Sequence, residues 1–390
     1  MFPKKLQQKL QRRIENNSLR ELSYSNGLVD FSSNDYLGFA KSAVIFKESH
    51  QYLIDNNFVQ NGATGSRLLS GNHELYTKVE KQLCHLHQSE ALLFNSGYDA
   101  NVGFFSAVPQ RNDVILYDEY SHASIRDGIK LSNAKAYSFK HNDLVDLEKK
   151  LKRYSEYVNS HTELVEVYIV TESVFSMDGD SPDLASLQKL CEKYNAHSIV
   201  DEAHAVGVFG FGLVQQLGLE KEVFARIITF GKALGCHGSA VLGSKQLKEY
   251  LINFSRSFIY TTGLSPHSLA TIHASYQELV ISCGVDKSQS SIQKLQENIQ
   301  YFKTKYSEFL LNELFIDSNS AIQCCIISGN STVKKCAELL QENGFDVRPI
   351  LSPTVSEGEE RLRFCLHSYN THQDIDKVLN LLSTFVKQNL

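Results

Sequence analysis

Five short apolar runs constrain the fold of this 390-residue chain more than any other feature: Ala91-Leu92-Leu93-Phe94, Val114-Ile115-Leu116-Tyr117, Val167-Tyr168-Ile169-Val170, Ser198-Ile199-Val200 and Ile227-Ile228-Thr229-Phe230. Each is too short for a helix and reads as a buried strand, and each breaks off into polar or glycine-rich residues. Helical patterns such as 143–154 and 184–194 lie between them. The middle of the chain therefore reads as strand–helix repeats around a mostly parallel sheet. Ligands of such sheets gather at the carboxyl ends of the strands, where the informative residues of this sequence fall.

From about Ser265 the pattern changes to longer helices, then strands over 321–327 and 361–366, then a last helix over 373–385. A chain of this length exceeds what one hydrophobic core usually organises, so two lobes are expected. We expect an N-terminal helix and extension over 1–45, a large domain over 46–270 and a smaller α+β domain over 271–390. The net charge of -5 and pI near 6.3 argue against nucleic acid or an anionic membrane surface as partner, since both favour basic faces. Eight scattered cysteines without a Cys-x-x-Cys pair suggest reduced thiols and a cytoplasmic setting. Near the amino terminus Leu6, Leu10 and Ile14 repeat every fourth position and are interrupted by Lys9, Arg12 and Arg13. That spacing predicts an amphipathic helix docked on the body rather than a secretory leader. No apolar stretch is long enough to cross a bilayer.

The chemistry sits where the runs end. Lys232, in Phe230-Gly231-Lys232-Ala233-Leu234-Gly235, follows an apolar run; an amine desolvated there has a lowered pKa and attacks carbonyl groups. Taken alone, Gly-Lys ordinarily opens a surface loop. In Asp201-Glu202-Ala203-His204 a carboxylate follows a strand, able to hold a pyridinium proton, bind a metal or orient a histidine. The run Phe94-Asn95-Ser96-Gly97-Tyr98 turns from strand to helix, and the unpaired amides of a helix start suit phosphate, although an ordinary turn has the same look. His122, in Ser121-His122-Ala123-Ser124, suits stacking on a planar ring or proton exchange, with a satisfied core histidine as the plain alternative. Ser176 suits a hydrogen bond to a ligand or a helix cap equally. Cys84-His85-Leu86-His87 lies in a helical context without a second cluster and reads as packing, so no metal is called for. Lysine, aspartate, stacking histidine and phosphate-ready helix start are together the parts of a pyridoxal 5'-phosphate site.

Six ordered segments carry a family resemblance: Phe31-Ser32-Ser33-Asn34-Asp35-Tyr36-Leu37-Gly38, Gly62-Ala63-Thr64-Gly65-Ser66-Arg67, Ser121-His122-Ala123-Ser124, Phe175-Ser176-Met177-Asp178-Gly179-Asp180, Asp201-Glu202-Ala203-His204 and Thr229-Phe230-Gly231-Lys232. With them the chain resembles the α-oxoamine synthases over nearly its whole length. These are pyridoxal phosphate enzymes of fold type I that join an amino acid to an acyl thioester with loss of carbon dioxide. Ser320-Ala321-Ile322-Gln323, Ser352-Pro353-Thr354-Val355 and Arg361-Leu362-Arg363 are similar to the members that use L-alanine and a pimeloyl thioester, carried by coenzyme A or a carrier protein. Sister members use glycine with acetyl or other acyl groups.

The resemblance implies that Lys232 holds the cofactor and moves the α-proton, that His122 stacks on its ring and assists at the acyl carbonyl, and that Asp201 pairs with the ring nitrogen. It implies His204 and Ser176 on the phenolic side, and Thr229 with the Gly97 and Tyr98 amides at the phosphate. Asn34 and Arg363 would take the amino-acid carboxylate, Arg20 the far carboxylate of the acyl chain, and Thr354 a further substrate contact. Thr261 and Thr262 would reach the phosphate of a second subunit in a homodimer. Departures from the family pattern are Ala205-Val206-Gly207, Leu366-His367-Ser368-Tyr369-Asn370, and Leu351 where arginine is common, with Arg348 near enough in sequence to compensate. They bear on the acyl substrate rather than on the cofactor. A serine hydrolase would need a Gly-x-Ser-x-Gly elbow, which is missing, and would leave Lys232 idle; a silent binding protein would have no use for Lys232, Asp201 and His122 together.

Overall fold

A computed structural model describes residues 2–16, 19–20, 22, 27–160, 165–284 and 290–389. In chain order the strands are β1 (Val29–Asp30), β2 (Glu90–Phe94), β3 (Val114–Asp118), β4 (Lys135–Phe139), β5 (Val167–Glu172), β6 (His197–Asp201), β7 (Ala225–Thr229), β8 (Ser239–Gly243), β9 (Ile322–Ile326), β10 (Phe345–Asp346), β11 (Arg348–Ile350) and β12 (Arg361–Cys365). Seven of them form one sheet in the order β2-β8-β7-β6-β5-β3-β4. Only β8 runs antiparallel to its neighbours, so β2, β3, β5, β6 and β7 all end on one edge. The five apolar runs are β2, β3, β5, β6 and β7. The runs singled out in the sequence do not include β4, whose outward side chains leave it half exposed, or β8, whose apolar stretch is only Ala240-Val241-Leu242 between a serine and a glycine.

Alternation along the strands feeds two faces. Leu92 and Phe94 pack with Phe104 and Phe105 of the helix Gly97–Ala107, whereas Ala91 and Leu93 join the larger core that includes Ile228, Phe230 and Leu269. Each fully buried Leu, Ile or Phe contributes about 1.5–3 kcal/mol of transfer free energy, so the edge that carries the polar residues is firmly anchored. Helices Leu144–Ser160 and Leu184–Tyr194 pack beside β3 and β5, near the predicted spans.

The second sheet is antiparallel, in the order β11-β12-β9, and the last helix spans His372–Asn389. β1 pairs in parallel with β10, so the segment following the N-terminal helix is stitched to the C-terminal part of the chain. The N-terminal helix forms over Lys4–Glu15 but buries none of its residues. Among the described residues the expected docking is absent: Leu6, Leu10 and Ile14 stay exposed. Among the described residues no helix is long and apolar enough to cross a membrane.

Candidate active site

The register of β5 and β6 sets Glu172 opposite Asp201, which brings two carboxylates together at the edge where β7 also ends. Asp201 is buried; its Oδ1 accepts the Ala203 amide at 2.9 Å and its Oδ2 accepts from Asn101 Nδ2 at 2.8 Å. Asn101 also donates to Ser124 Oγ at 3.0 Å, and Ser124 Oγ lies 2.7 Å from His122 Nδ1. The Ser124 amide donates to the same nitrogen at 3.2 Å. An amide N–H can only donate, so Nδ1 accepts, the Ser124 hydroxyl donates to it as well, and the neutral His122 ring carries its own proton on Nε2. The His122 amide donates to Glu172 Oε1 at 2.7 Å, which fixes the residue at the start of its helix.

Lys232 Nζ lies 2.6 Å from His204 Nε2, and His204 Nδ1 lies 2.7 Å from the Tyr36 hydroxyl. Burial lowers the Lys232 amine to about 8, against the opposing pull of Asp201 and Glu172. Burial also pushes Glu172 up to about 8, helped by the negative charge of Asp201. His204 is held well below its ordinary value by burial and by the Lys232 and Arg363 charges, and burial lowers His122 as well. Both imidazoles are neutral at pH 7, and the lysine loses its proton near physiological pH.

Arg363, at the middle of β12, reaches across to this group. Its Nε donates to the Ser176 carbonyl at 2.7 Å and its Nη2 to Asn34 Oδ1 at 3.0 Å. Asn34 Oδ1 also accepts from the Tyr36 hydroxyl at 3.1 Å. At the other end, Gly97 and Tyr98 open a helix whose cap, Ser96, takes the Asp99 amide. A side chain on Gly97 would stand 3.6 Å from Thr229 Oγ1, so the end of β7 faces this helix start. Asn95 Nδ2 donates to Thr261 Oγ1 at 3.0 Å and to the Thr262 carbonyl at 2.7 Å; both threonines thus lie beside the same strand end within one chain.

The donor set fits pyridoxal phosphate: free amides and a hydroxyl for a phosphate dianion, a buried carboxylate for a ring nitrogen proton, and an amine of lowered pKa for an aldehyde. A cavity of about 590 Å³ adjoins it, lined by His122, Ser176, Thr354, Arg126 and Arg361 among others. Arg20 is exposed and is not among the residues lining this cavity.

Several participants escaped sequence reasoning. Tyr36 and Glu172 stand inside segments read for other residues, and Asn101 is one helical turn beyond Gly97, a spacing that points it back toward the sheet. His141 bridges Asp118 and Asp180 at 2.9 Å each and stacks on Tyr120. Burial alone would lower it, but those two carboxylates raise it to about 9, which makes it a cation braced behind the cavity wall. His141, Asp178 and Asp180 have the spacing of a metal cluster, yet both His141 nitrogens are taken by carboxylates.

The departures have structural explanations. Gly207 has φ +89°, and a side chain there would come within 2.5 Å of Ala233 Cβ, beside Lys232. His367, Ser368 and Asn370 bond the 30–37 segment: His367 Nε2 to the Ser33 carbonyl at 3.1 Å, Ser368 Oγ to the Leu37 carbonyl at 2.9 Å and Asn370 Nδ2 to the Asp30 carbonyl at 2.9 Å. Arg348 is engaged by Asp346 at 2.7 Å and Leu351 packs against the core, so Arg348 does not replace a cavity arginine. Glu202, between Asp201 and Ala203, forms a buried pair with Arg226 at 2.6 Å, and His87 bonds the Tyr276 hydroxyl at 2.9 Å, as a packing residue does.

The profile of the family described as aminotransferase class I and II matches residues 26–382. The 8-amino-7-oxononanoate synthase of Emericella nidulans is 38% identical over 406 residues, covering 98% of this chain and 95% of that protein. The putative 8-amino-7-oxononanoate synthase of Glaesserella parasuis is 38% identical, covering 91% and 90%. Among solved structures, the 8-amino-7-oxononanoate synthase of Francisella tularensis superposes with a TM-score of 0.75 at 28% identity, over 93% of this chain and 99% of its own. The Sphingomonas wittichii serine palmitoyltransferase gives a TM-score of 0.84 over 99% and 97% at 24% identity, a likeness of fold.

Proposed function

We propose that this chain, which belongs to the aminotransferase class I and II family and within it to the pyridoxal phosphate-dependent α-oxoamine synthases, condenses L-alanine with a pimeloyl thioester. The products are 8-amino-7-oxononanoate, carbon dioxide and the free thiol, which is a step of biotin synthesis. The observation that carries the reading is the set of contacts that ties Lys232 to His204, Asp201 to Asn101 and Arg363 to Asn34 and the Ser176 carbonyl, beside a cavity lined by His122 and Ser176, in a chain 38% identical to a synthase of that name.

Bound pyridoxal phosphate supplies an electron sink for the α-carbon of the amino acid. Lys232 would hold the cofactor through its amine and, when that amine is free, would take the α-proton on Nζ; its lowered pKa suits it to both tasks. Asp201 keeps a proton on the ring nitrogen, and Asn101 fixes that carboxylate. Thr229 and the Gly97 and Tyr98 amides hold the phosphate, while His204 and Ser176 bond the phenolic side. His122 would stack on the ring and, with its proton on Nε2, would donate to the acyl carbonyl as the new carbon–carbon bond forms. Arg363 and Asn34 grip the amino-acid carboxylate, and Thr354 meets the acyl group.

A homodimer with a shared site belongs to the same reading, with Thr261 and Thr262 serving the second subunit; exposed Phe46, Ile54, Val59, Leu69 and Tyr260 support it, since exposed apolar side chains suit a partner surface. So do the divisions 1–45, 46–270 and 271–390, supported by the separation of the seven-stranded sheet from the three-stranded one, and a cytoplasmic setting, supported by eight free thiols. The test is thiol release by the purified holoenzyme, with the product identified by mass. L-alanine with pimeloyl-coenzyme A should outpace glycine with acetyl-coenzyme A. The reverse preference would assign a sister activity, and a cofactor not fixed to Lys232 by borohydride would remove the lysine from its role.

A further inference from the structure

Two cations line the cavity beside His122, Arg126 and Arg361. Arg361 is engaged: it pairs with Asp178, its Nε donates to the Glu359 carbonyl at 2.9 Å, and its Nη2 lies 3.8 Å from the Glu359 carboxylate. Arg126 differs. Among the described residues its guanidinium has no hydrogen bond or ion pair, and its exposed side chain is bordered by an Asp127 already bonded to the Tyr98 hydroxyl at 2.9 Å and to Lys130 at 3.3 Å. The lining also carries Glu119, Glu357 and Glu359. A carboxylate entering this cavity is repelled from those positions and meets one unengaged positive group.

Spacing sets what that group reads. The Arg126 amide bonds the His122 carbonyl at 3.2 Å, so the two residues stand one turn apart on the same helix face, about 6 Å along the axis. A seven-carbon diacid spans six C–C bonds, roughly 7.5 Å when extended. An acyl carbonyl held at His122 therefore brings its far carboxylate within reach of the long Arg126 side chain. Resting on the reaction proposed above, we infer that Arg126 binds the far carboxylate of the acyl donor and selects a dicarboxylic chain over a neutral one of equal length. Arg126 lines the cavity and Arg20 is not among its lining residues, so Arg126 is the candidate for the far carboxylate. A guanidinium takes a carboxylate through two parallel N–H donors, which an ammonium cannot do.

The test compares pimeloyl-coenzyme A with heptanoyl-coenzyme A, each with L-alanine and holoenzyme, so that the carrier is constant and only the far end of the chain differs. In Arg126→Gln the KM for the pimeloyl donor should rise about 10- to 100-fold, the loss expected of a charge-assisted contact, while the heptanoyl KM stays within about twofold. Arg126→Lys should fall between. Turnover of the heptanoyl donor by the variant shows that it is folded and loaded. An equal rise for both donors, or no rise for either, overturns the assignment of Arg126 alone. If the unaltered protein does not consume pimeloyl-coenzyme A at all, the proposed reaction fails and this assignment with it.

Discussion

Glu172→Gln isolates the buried carboxylate that sequence reading passed over. Gln keeps an oxygen to accept the His122 amide, bonded at 2.7 Å, and removes only the titration. Glu172 rises from its ordinary 4.5 to about 8, through burial and then the neighbouring Asp201 charge. A carboxyl whose folded pKa is raised stabilises the fold fully below its unfolded value, and that contribution is lost as pH climbs through the folded one. The climb corresponds to about 5 kcal/mol against the charged form, accumulating at about 1.4 kcal/mol per pH unit between 4.5 and about 8. From pH 6 to pH 8 the unaltered protein should therefore lose about 2–3 kcal/mol that the variant keeps. With an unfolding entropy of about 2.1 cal/mol/K per residue, a chain of 390 residues converts this to about 3 °C. The assay is thermal unfolding of the cofactor-free protein and variant across that range. The gap in Tm, variant minus unaltered, should widen by about 3 °C from pH 6 to pH 8. A gap that is constant with pH would show that Glu172 does not carry its proton in the fold.

Two further substitutions probe the substrate grip and the lysine loop. Arg363→Lys keeps the charge but loses the fork that spans the Ser176 carbonyl and Asn34; the KM for L-alanine should rise about tenfold with kcat little changed, and a fall confined to kcat would refute a binding role. Gly207→Ala places a side chain at φ +89° and within 2.5 Å of Ala233 Cβ; unfolding in denaturant should show a loss of about 1–3 kcal/mol, and an unchanged midpoint would mean that the loop beside Lys232 yields freely.

How much of this was legible depended on whether a residue's partners were local. Asp201 and Lys232 were readable because an apolar run stops where the strand leaves the core, and a polar residue at that stop faces the carboxyl edge; Thr229, inside its run, came only from the resemblance. Glu172 had the same signal, as the last residue of β5, but its run was read as ending at Val170. β4 gave no apolar run like those of the other strands, and the N-terminal helix showed its stripe without showing that, among the described residues, none covers it. The Arg363–Asn34 contact joins residues 329 apart in sequence, and no periodicity encodes such a pair. The resemblance supplied those two residues, and the fold supplied the reason they meet.

That reason lies in the segment where the chain departs from its family. Phe31 is bonded by the Cys365 amide at 2.8 Å, Tyr36 by the Ser368 amide at 2.8 Å, and the His367 amide is held by Asn370 Oδ1 at 2.7 Å. Residues 365–370 therefore fix the backbone on both sides of Asn34, while β12 itself carries Arg363. Both proposed contacts to the amino-acid carboxylate are thus set by the C-terminal sheet and its continuation, whereas Lys232, Asp201 and Thr229 are set by the central sheet. Preorganisation of a bidentate grip costs little entropy when the backbone beneath it is already tied. The altered residues at 366–370 can accordingly differ from the family pattern without disturbing the cofactor residues, provided that they keep the same carbonyls of the 30–37 segment bonded. His367, Ser368 and Asn370 do so with side-chain donors, which makes this stretch a replacement brace for the amino-acid pocket and leaves discrimination among acyl donors to the cavity wall that bears Arg126.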